Sequence, residues 1–267
     1  MTNVFEAKTT VEQWDSDYYH PLALQLYDLA IVKMLRLMNV EKGATVLDAG
    51  CGPGVHSIRV AKAGYNVCAI DLSHEMLRQA KERVEKNNLT DKVEFHQKDL
   101  TKLDLPDASF KYVFSWGVII HIPEANKALD ELARVVQPGG KLALYITNKT
   151  SLDVKIESFV RFIVQKPPKE QLQHLPLGDG TWYFLGKEKL WVWRYDAKAV
   201  ANYLSNKGFR LIHHRLGELS DIQRRVRGPF RNLLLKLNNL AYRLNVPVRL
   251  AHGQLMVFEK AQAGASR

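Results

Sequence analysis

Residues Val46–Gly54 read VLDAGCGPG: an apolar run, one aspartate, and glycines at 50, 52 and 54. An apolar run that ends in such a turn and resumes with helical spacing over Val55–Lys62 is a strand-turn-helix unit. The glycines let the main chain approach a ligand or a neighbouring element with no Cβ in the way. The helix behind them offers unpaired N–H groups to anything polar or anionic. Two common nucleotide turns match poorly. A phosphate loop ends in Gly-Lys-Ser/Thr, whereas Gly54 is followed by Val55 and His56. The dinucleotide fingerprint is Gly-x-Gly-x-x-Gly, and here the third glycine arrives one residue early, behind Pro53. The acid that fingerprint expects about 20 residues further on has a counterpart in Asp71. Such an acid occurs in more than one nucleoside-binding fold.

The same alternation continues on the C-terminal side. NVCAIDL (66–72) reads as a second strand, and Ser73–Lys86 as a helix with Ser73 as N-cap and Met76, Leu77, Ala80 and Val84 on one face. VEFHQKDL (93–100) and FKYVFSWG (110–117) follow as strands. Pro123 opens a helix to about Val136, which the Gln137-Pro138-Gly139-Gly140 turn stops. KLALYIT (141–147), FRLIHHRLGEL (209–219) and GQLMVFEKA (253–261) are further strands, with a helix over Ala197–Asn206. Strands and helices in strict alternation imply an α/β fold, an open and largely parallel sheet with right-handed crossovers. Ligands in such sheets lie beyond the carboxyl ends of the strands. That rule turns Asp48–Gly54, Asp71, Asp99 and Ser115–His121 into candidate site residues.

Composition sets the outer bounds. A chain of 267 residues, 46% hydrophobic and 25% charged, has ample apolar material for a globular core. MTNVFEAKTT lacks the basic and apolar regions of a secretory signal, and no run reaches the ~18 apolar residues of a membrane span. Two cysteines, Cys51 and Cys68, make no disulfide framework, so a reducing, cytoplasmic setting is expected. The net charge of +10 is concentrated: Arg224, Arg225, Arg227, Arg231, Lys236, Arg243 and Arg249 stand against the single acid Asp221 between residues 221 and 250. An anionic partner, if there is one, belongs to that segment.

VLDAGCGPG followed by the acid at the end of strand two resembles the cofactor motif of the class I S-adenosylmethionine-dependent methyltransferases, small-molecule type. KDL (98–100), FSWGVIIHI (114–122) and VVQPGGKLAL (135–144) match further family motifs in order, covering about residues 40–147. The resemblance implies a Rossmann-like seven-stranded, mostly parallel sheet with helices on both faces and an antiparallel last strand. It divides the chain into N-terminal lid helices (1–40), a cofactor-binding core (41–147), an inserted substrate cap (148–195) and a C-terminal part of the core (196–267). By the same resemblance Asp48 and the backbone of Ala49, Gly50, Cys51 and Gly52 hold the amino acid moiety of S-adenosylmethionine. Asp71 accepts from the ribose hydroxyls, Leu72 packs on adenine, and Asp99 with the Leu100 N–H reads the adenine edge. Ser115 and Trp116 lie beside the sulfonium, and Tyr18 lines the lid. The product is S-adenosylhomocysteine.

The expected reaction is direct in-line methyl transfer to an oxygen or nitrogen of a small organic acceptor. The Asn/Asp-Pro-Pro-aromatic motif of nucleobase-amine enzymes is missing after strand four, where the chain has Ser115-Trp116-Gly117-Val118. No cluster of acids for a divalent metal is evident, so no metal is expected. His121 is a candidate base, since imidazole accepts a proton near neutral pH; Tyr19 and His20 are further candidates from the lid. TWYFLGKEKLWVWRY (181–195) alternates as a β-hairpin, with Trp182, Tyr183, Phe184, Trp191 and Trp193 as acceptor-pocket walls.

Between about 228 and 245, Phe230, Leu233, Leu234, Leu237, Leu240, Ala241 and Leu244 recur at helical spacing, with arginines before and opposite them. The expectation is that this apolar face packs on the body of the protein or on a second subunit in a homodimer. The alternative is an anionic membrane surface, which suits a lipid- or glycan-linked acceptor. No nucleic-acid reader module accompanies the charge. A protein that binds the cofactor without turnover is the non-enzyme alternative.

Overall fold

Val46, Leu47, Asp48 and Ala49 are all buried, as a central strand covered on both faces requires. The computed structural model describes residues 4–6, 19–164, 172–185 and 188–262. Its strands are β1 (Thr45–Ala49), β2 (Asn66–Asp71), β3 (Val93–Gln97), β4 (Phe110–Trp116), β5 (Val136–Thr147), β6 (Gln173–Leu175), β7 (Gly178–Leu185), β8 (Glu188–Tyr195), β9 (Phe209–Glu218) and β10 (Gly253–Lys260). The helices are α1 (Pro21–Leu37), α2 (Val55–Lys62), α3 (His74–Lys86), α4 (Ala125–Val135), α5 (Leu152–Ile163), α6 (Ala197–Ser205) and α7 (Gly228–Arg243).

A seven-stranded sheet has the order β3-β2-β1-β4-β5-β10-β9. β10 is antiparallel to both β5 and β9, while β1 to β5 pair in parallel. Strand order reverses at β1/β4, and this places the glycine turn after β1 at the crevice where α/β sheets bind ligands. Alternate residues serve opposite faces. Val46, Ala69 and Phe114 pack with Ile31, Met34, Val60 and Leu77 from α1, α2 and α3. Leu47, Ile70 and Val113 pack with Leu129, Leu132 and Val200 from α4 and α6.

Three expectations need correction. The Gln137-Pro138-Gly139-Gly140 stretch does not end a helix before β5; β5 starts at Val136 and carries the stretch as an irregularity. Phe110 pairs with Val136 and Tyr112 with Lys141, so the extra residues bulge between two paired segments. The helix expected from Pro123 starts at Ala125, after a 3-10 turn at Ile119–His121 that periodicity did not show. The cap holds more than a hairpin: β7 and β8 pair as expected, β6 adds a third strand, and α5 precedes them.

Candidate active site

The three glycines of the turn have different tasks, although all take positive φ. A Cβ on Gly50 would meet the Val118 side chain at 2.4 Å, and one on Gly54 would meet the Ala80 Cβ at 2.9 Å. Those two glycines serve packing. Among the described residues, a Cβ on Gly52, at φ +50°, would meet nothing within 4 Å. Gly52 is therefore the open backbone of the turn, the one that a ligand can approach.

Asp71 ties this opening to β2. Its carboxylate accepts from the Gly52 amide at 2.8 Å and from the Ser73 amide at 2.9 Å. Burial raises its pKa, opposed by the amides of Ser73, Gly52 and Leu72. Leu72 beside it is 49% exposed, an apolar surface turned outward at a strand tip. Asp99 is exposed at the end of β3, where its carboxylate accepts from the Thr101 amide and hydroxyl, both at 2.8 Å; Leu100 is buried.

Asp48 is 1% exposed, and its carboxylate accepts the Ser57 hydroxyl at 2.6 Å. Burial pushes its carboxyl up to about 7, with Ser57 lowering it and Asp71 adding to the rise. Asp48 thus fastens the first turn of α2 under the glycine loop. Ala49 and Cys51 are buried, and burial pushes the Cys51 thiol up, so it is held as a small apolar group.

At the end of β4 the Ser115 hydroxyl is buried and, among the described residues, has no hydrogen-bond partner. Trp116 stacks on Tyr145 at 4.4 Å between ring centroids, His56 lies 5.1 Å from Trp116, and Tyr27 from α1 lies 5.2 Å from His56. The Tyr145 hydroxyl donates to Glu218 at 3.3 Å, and the Gln223 amide and Arg224 also reach that carboxylate, at 2.7 and 2.8 Å. Burial lowers the His56 pKa to about 3, so its ring is neutral. Sequence reasoning assigned no role to His56, Tyr27, Tyr145 or Glu218. Extending the strand-end rule to β5 and to β9, which runs alongside it through β10, would have found Tyr145 and Glu218.

His121 comes under the hairpin rather than into open solvent. Its Nδ1 lies 3.0 Å from the Trp191 carbonyl, and its ring meets Phe5 edge-on at 6.0 Å. Burial lowers its pKa to about 4, with Trp191 opposing and Arg224 contributing. The imidazole is therefore neutral, with Nδ1–H donating to the Trp191 carbonyl. Trp191 and Trp193 are each 3% exposed and pack in the main core; the Trp193 Nε1–H donates to the Ile122 carbonyl at 2.8 Å. Their buried indoles secure the cap on the 3-10 turn and do not form an open wall. Trp182 and Tyr183 are half-buried and Phe184 is 62% exposed.

Phe5 and Glu6 reach the residues that follow β2. The Ser73 hydroxyl donates to the Phe5 carbonyl at 2.8 Å, and the Glu6 carboxylate accepts the His74 amide at 2.9 Å. His20 is the N-cap of α1, its Nδ1 accepting the Leu22 amide at 3.2 Å, which accounts for its position without chemistry. Tyr19 is half-buried beside Arg83, whose guanidinium lies 5.6 Å from the ring centroid. Tyr18 lies outside the described residues. Asp153, Asp221 and His252 come together with ligand atoms within 4.8 Å, a cluster the sequence did not reveal. Arg224 and Arg225 approach Asp221 at 3.8 and 3.9 Å and supply the counter-charge there.

The open Gly52 backbone, the Asp71 carboxylate beside it, the exposed Leu72 and the buried Ser115 hydroxyl fit a nucleoside joined to a polar amino acid tail, as in S-adenosylmethionine. A family described as "Methyltransferase domain" matches residues 46–140. The chain is 32% identical over 140 residues to methyltransferase GfsG of Streptomyces halstedii, covering 52% of this chain and 50% of that protein. It is 30% identical over 185 residues to a demethylmenaquinone methyltransferase of Listeria welshimeri, covering 65% of this chain and 78% of that one. The chain spans about half the length of several curated relatives that it matches. Magnesium protoporphyrin IX methyltransferase from Synechocystis, solved with bound SAH, shares the fold with a TM-score of 0.63 at 17% identity, covering 95% of each chain. Motif, sheet order and relatives agree: the chain belongs to the class I S-adenosylmethionine-dependent methyltransferases.

Proposed function

We propose that the chain transfers a methyl group from S-adenosylmethionine to an oxygen or nitrogen of a small organic acceptor. The observation that carries this is the Gly52–Asp71 contact at the sheet crevice, with the exposed Leu72 next to it. Gly52 and Asp71 would hold the donor at its tail and ribose, Leu72 would cover the adenine, and Asp99 would meet the adenine edge from β3. S-adenosylmethionine, when bound, supplies a methyl group on a sulfonium whose leaving thioether is neutral. The protein therefore has little leaving-group charge to stabilise, and its task is to hold the acceptor in line and keep water out.

Acceptor placement falls to the residues that follow β4, from Trp116 to His121. Neutral His121, oriented by the Trp191 carbonyl, accepts a hydrogen bond from an acceptor hydroxyl or amine. With its pKa near 4 it positions the nucleophile more than it stores the proton. Phe5 and the half-buried Trp182 and Tyr183 supply apolar and aromatic surface for the acceptor. Relatives are named for different acceptors, so the likeness supports the donor and leaves the acceptor to this chain's own pocket.

Titration calorimetry with S-adenosylmethionine and with NAD tests the donor half. Binding of the former alone is expected, and preferential binding of NAD would overturn it. Transfer of a labelled methyl group to a panel of phenols, amines and quinols tests the rest; cofactor binding with no transfer to any acceptor would favour the non-catalytic alternative. A lipid- or glycan-linked acceptor is the second reading, favoured by the outward-facing apolar side of α7.

A further inference from the structure

The face of α7 expected to pack inward is turned to solvent. Leu235, Asn238, Ala241 and Tyr242 are its buried residues, and they hold it to the body. Leu235 packs with Ala23 and Tyr27, and the Asn239 amide donates to the Leu22 carbonyl at 2.9 Å. Phe230 (54% exposed), Leu233, Leu237, Leu240 and Leu244 (68%) face outward. At ~100° per residue these five lie within an arc of about 80°, a continuous stripe along the whole helix.

The charge around the stripe is of one sign. From residue 225 to 250 the chain has Arg225, Arg227, Arg231, Lys236, Arg243 and Arg249 and no acid. Lys236 and Arg243 are exposed and border the stripe on one side, while Arg227 and Arg249 are exposed beyond its two ends. A groove at the carboxyl end of the helix is lined by Arg215 and Arg249. A second apolar surface lies on α5, where Ile156, Phe159, Phe162 and Ile163 are exposed. The start of α5 is tied to the loop before α7, because the Asp153 carboxylate accepts the Asp221 amide at 2.8 Å.

From this arrangement we infer that the outer face of α7 docks on an anionic membrane surface. Large apolar side chains enter the acyl boundary while lysine and arginine reach outward to anionic headgroups. A second copy of the chain suits the face less well. A two-fold contact through the same stripe would bring the basic borders of both copies together. A nucleic acid would find cations but nothing to cover the leucines. The helix that would touch the bilayer also packs its inner side on Tyr27 and close to Trp116, so the crevice lies about one helix diameter, ~10 Å, from the lipid. Docking itself does not depend on the methyl-transfer reading. If that reading holds as well, an acceptor dissolved in the bilayer reaches the crevice over a short path.

The test is flotation of the full chain with vesicles of phosphatidylcholine alone and of phosphatidylcholine with 30% phosphatidylglycerol. At least tenfold more bound protein is expected on the anionic vesicles, falling as salt is raised. Leu233→Gln with Leu237→Gln changes two exposed side chains and leaves the inner face intact. It should abolish flotation while circular dichroism and S-adenosylmethionine affinity stay unchanged. Lys236→Glu with Arg243→Glu should lose the preference for anionic lipid. No flotation, flotation that survives the leucine changes, or a dimer in sedimentation velocity that those changes dissociate would each overturn the proposal. Failure of methyl transfer with intact flotation would count against the proposed reaction alone.

Discussion

The Gly52 amide donates to the Asp71 carboxylate at 2.8 Å, across 19 residues of sequence. One carboxylate thereby fixes the open end of the glycine turn and presents its remaining acceptor capacity at the tip of β2. Asp71→Ala should weaken S-adenosylmethionine binding by about 1–3 kcal/mol through lost hydrogen bonds. Asp71→Asn keeps an acceptor oxygen and should lose less. Calorimetry on both variants checks this, and unchanged affinity in Asp71→Ala would remove the residue from the site.

Gly52→Ala and Gly54→Ala should separate binding from folding. At Gly52 the added methyl meets no atom of the described residues, so the left-handed backbone is what costs stability, about 1–2 kcal/mol. Its effect should fall mainly on the ligand, which loses its approach. At Gly54 the same backbone cost is joined by a clash with Ala80, 2.9 Å from the new Cβ. Gly54→Ala should therefore be the less stable variant in thermal melts, and Gly52→Ala the weaker binder.

Asp48 makes the unliganded protein less stable as pH rises. Its folded pKa is about 7 against a reference of 3.8, so the folded chain holds a proton that the unfolded chain releases. The stabilisation is complete below about pH 4 and is lost as pH rises through 7, at about 1.4 kcal/mol per pH unit in that window. Asn at this position can still accept from Ser57 and carries no charge. Asp48→Asn should accordingly melt at a higher temperature than the wild type at pH 8, with the gap closing toward pH 5.

The hairpin offers a contrast between two aromatic positions. Trp193→Ala removes a buried indole and the hydrogen bond to the Ile122 carbonyl, and should cost about 3–5 kcal/mol. Phe184→Ala removes a side chain that is 62% exposed and should change stability by under about 0.5 kcal/mol. If Phe184 contacts the acceptor, its variant raises the acceptor KM with stability unchanged. Urea denaturation and steady-state kinetics on the pair distinguish a structural aromatic from a binding one.

Much of the candidate site was legible because its residues are close in sequence to strand ends. VLDAGCGPG, Asp71, Asp99 and Ser115 each mark where an apolar run stops, and the alternation of runs orders them around one crevice. Local patterning could not show how side chains from distant segments meet. The Tyr27–His56–Trp116–Tyr145 series joins two helices and two strands. Glu218 beneath it depends on β9 being separated from β5 by an antiparallel strand.

The sequence by itself determined the α/β fold, the register of the glycine turn with the acid after strand two, and the resemblance to the methyltransferases. These follow from periodicity and from spacing within single strand-turn-helix units, which is information carried by neighbouring residues. Only the tertiary structure decided which side of each amphipathic element meets the body. In α7 the outward stripe of Phe230, Leu233, Leu237 and Leu240 has the hydropathy of a core face, so spacing alone reads it as the buried side. The other face won because Leu235 and Tyr242 meet the surface left by α1 and β9, and Asn238 finds partners in Ser220 and Glu218. A buried asparagine with its hydrogen bonds met was the inward anchor, and the leucines were left on the outside.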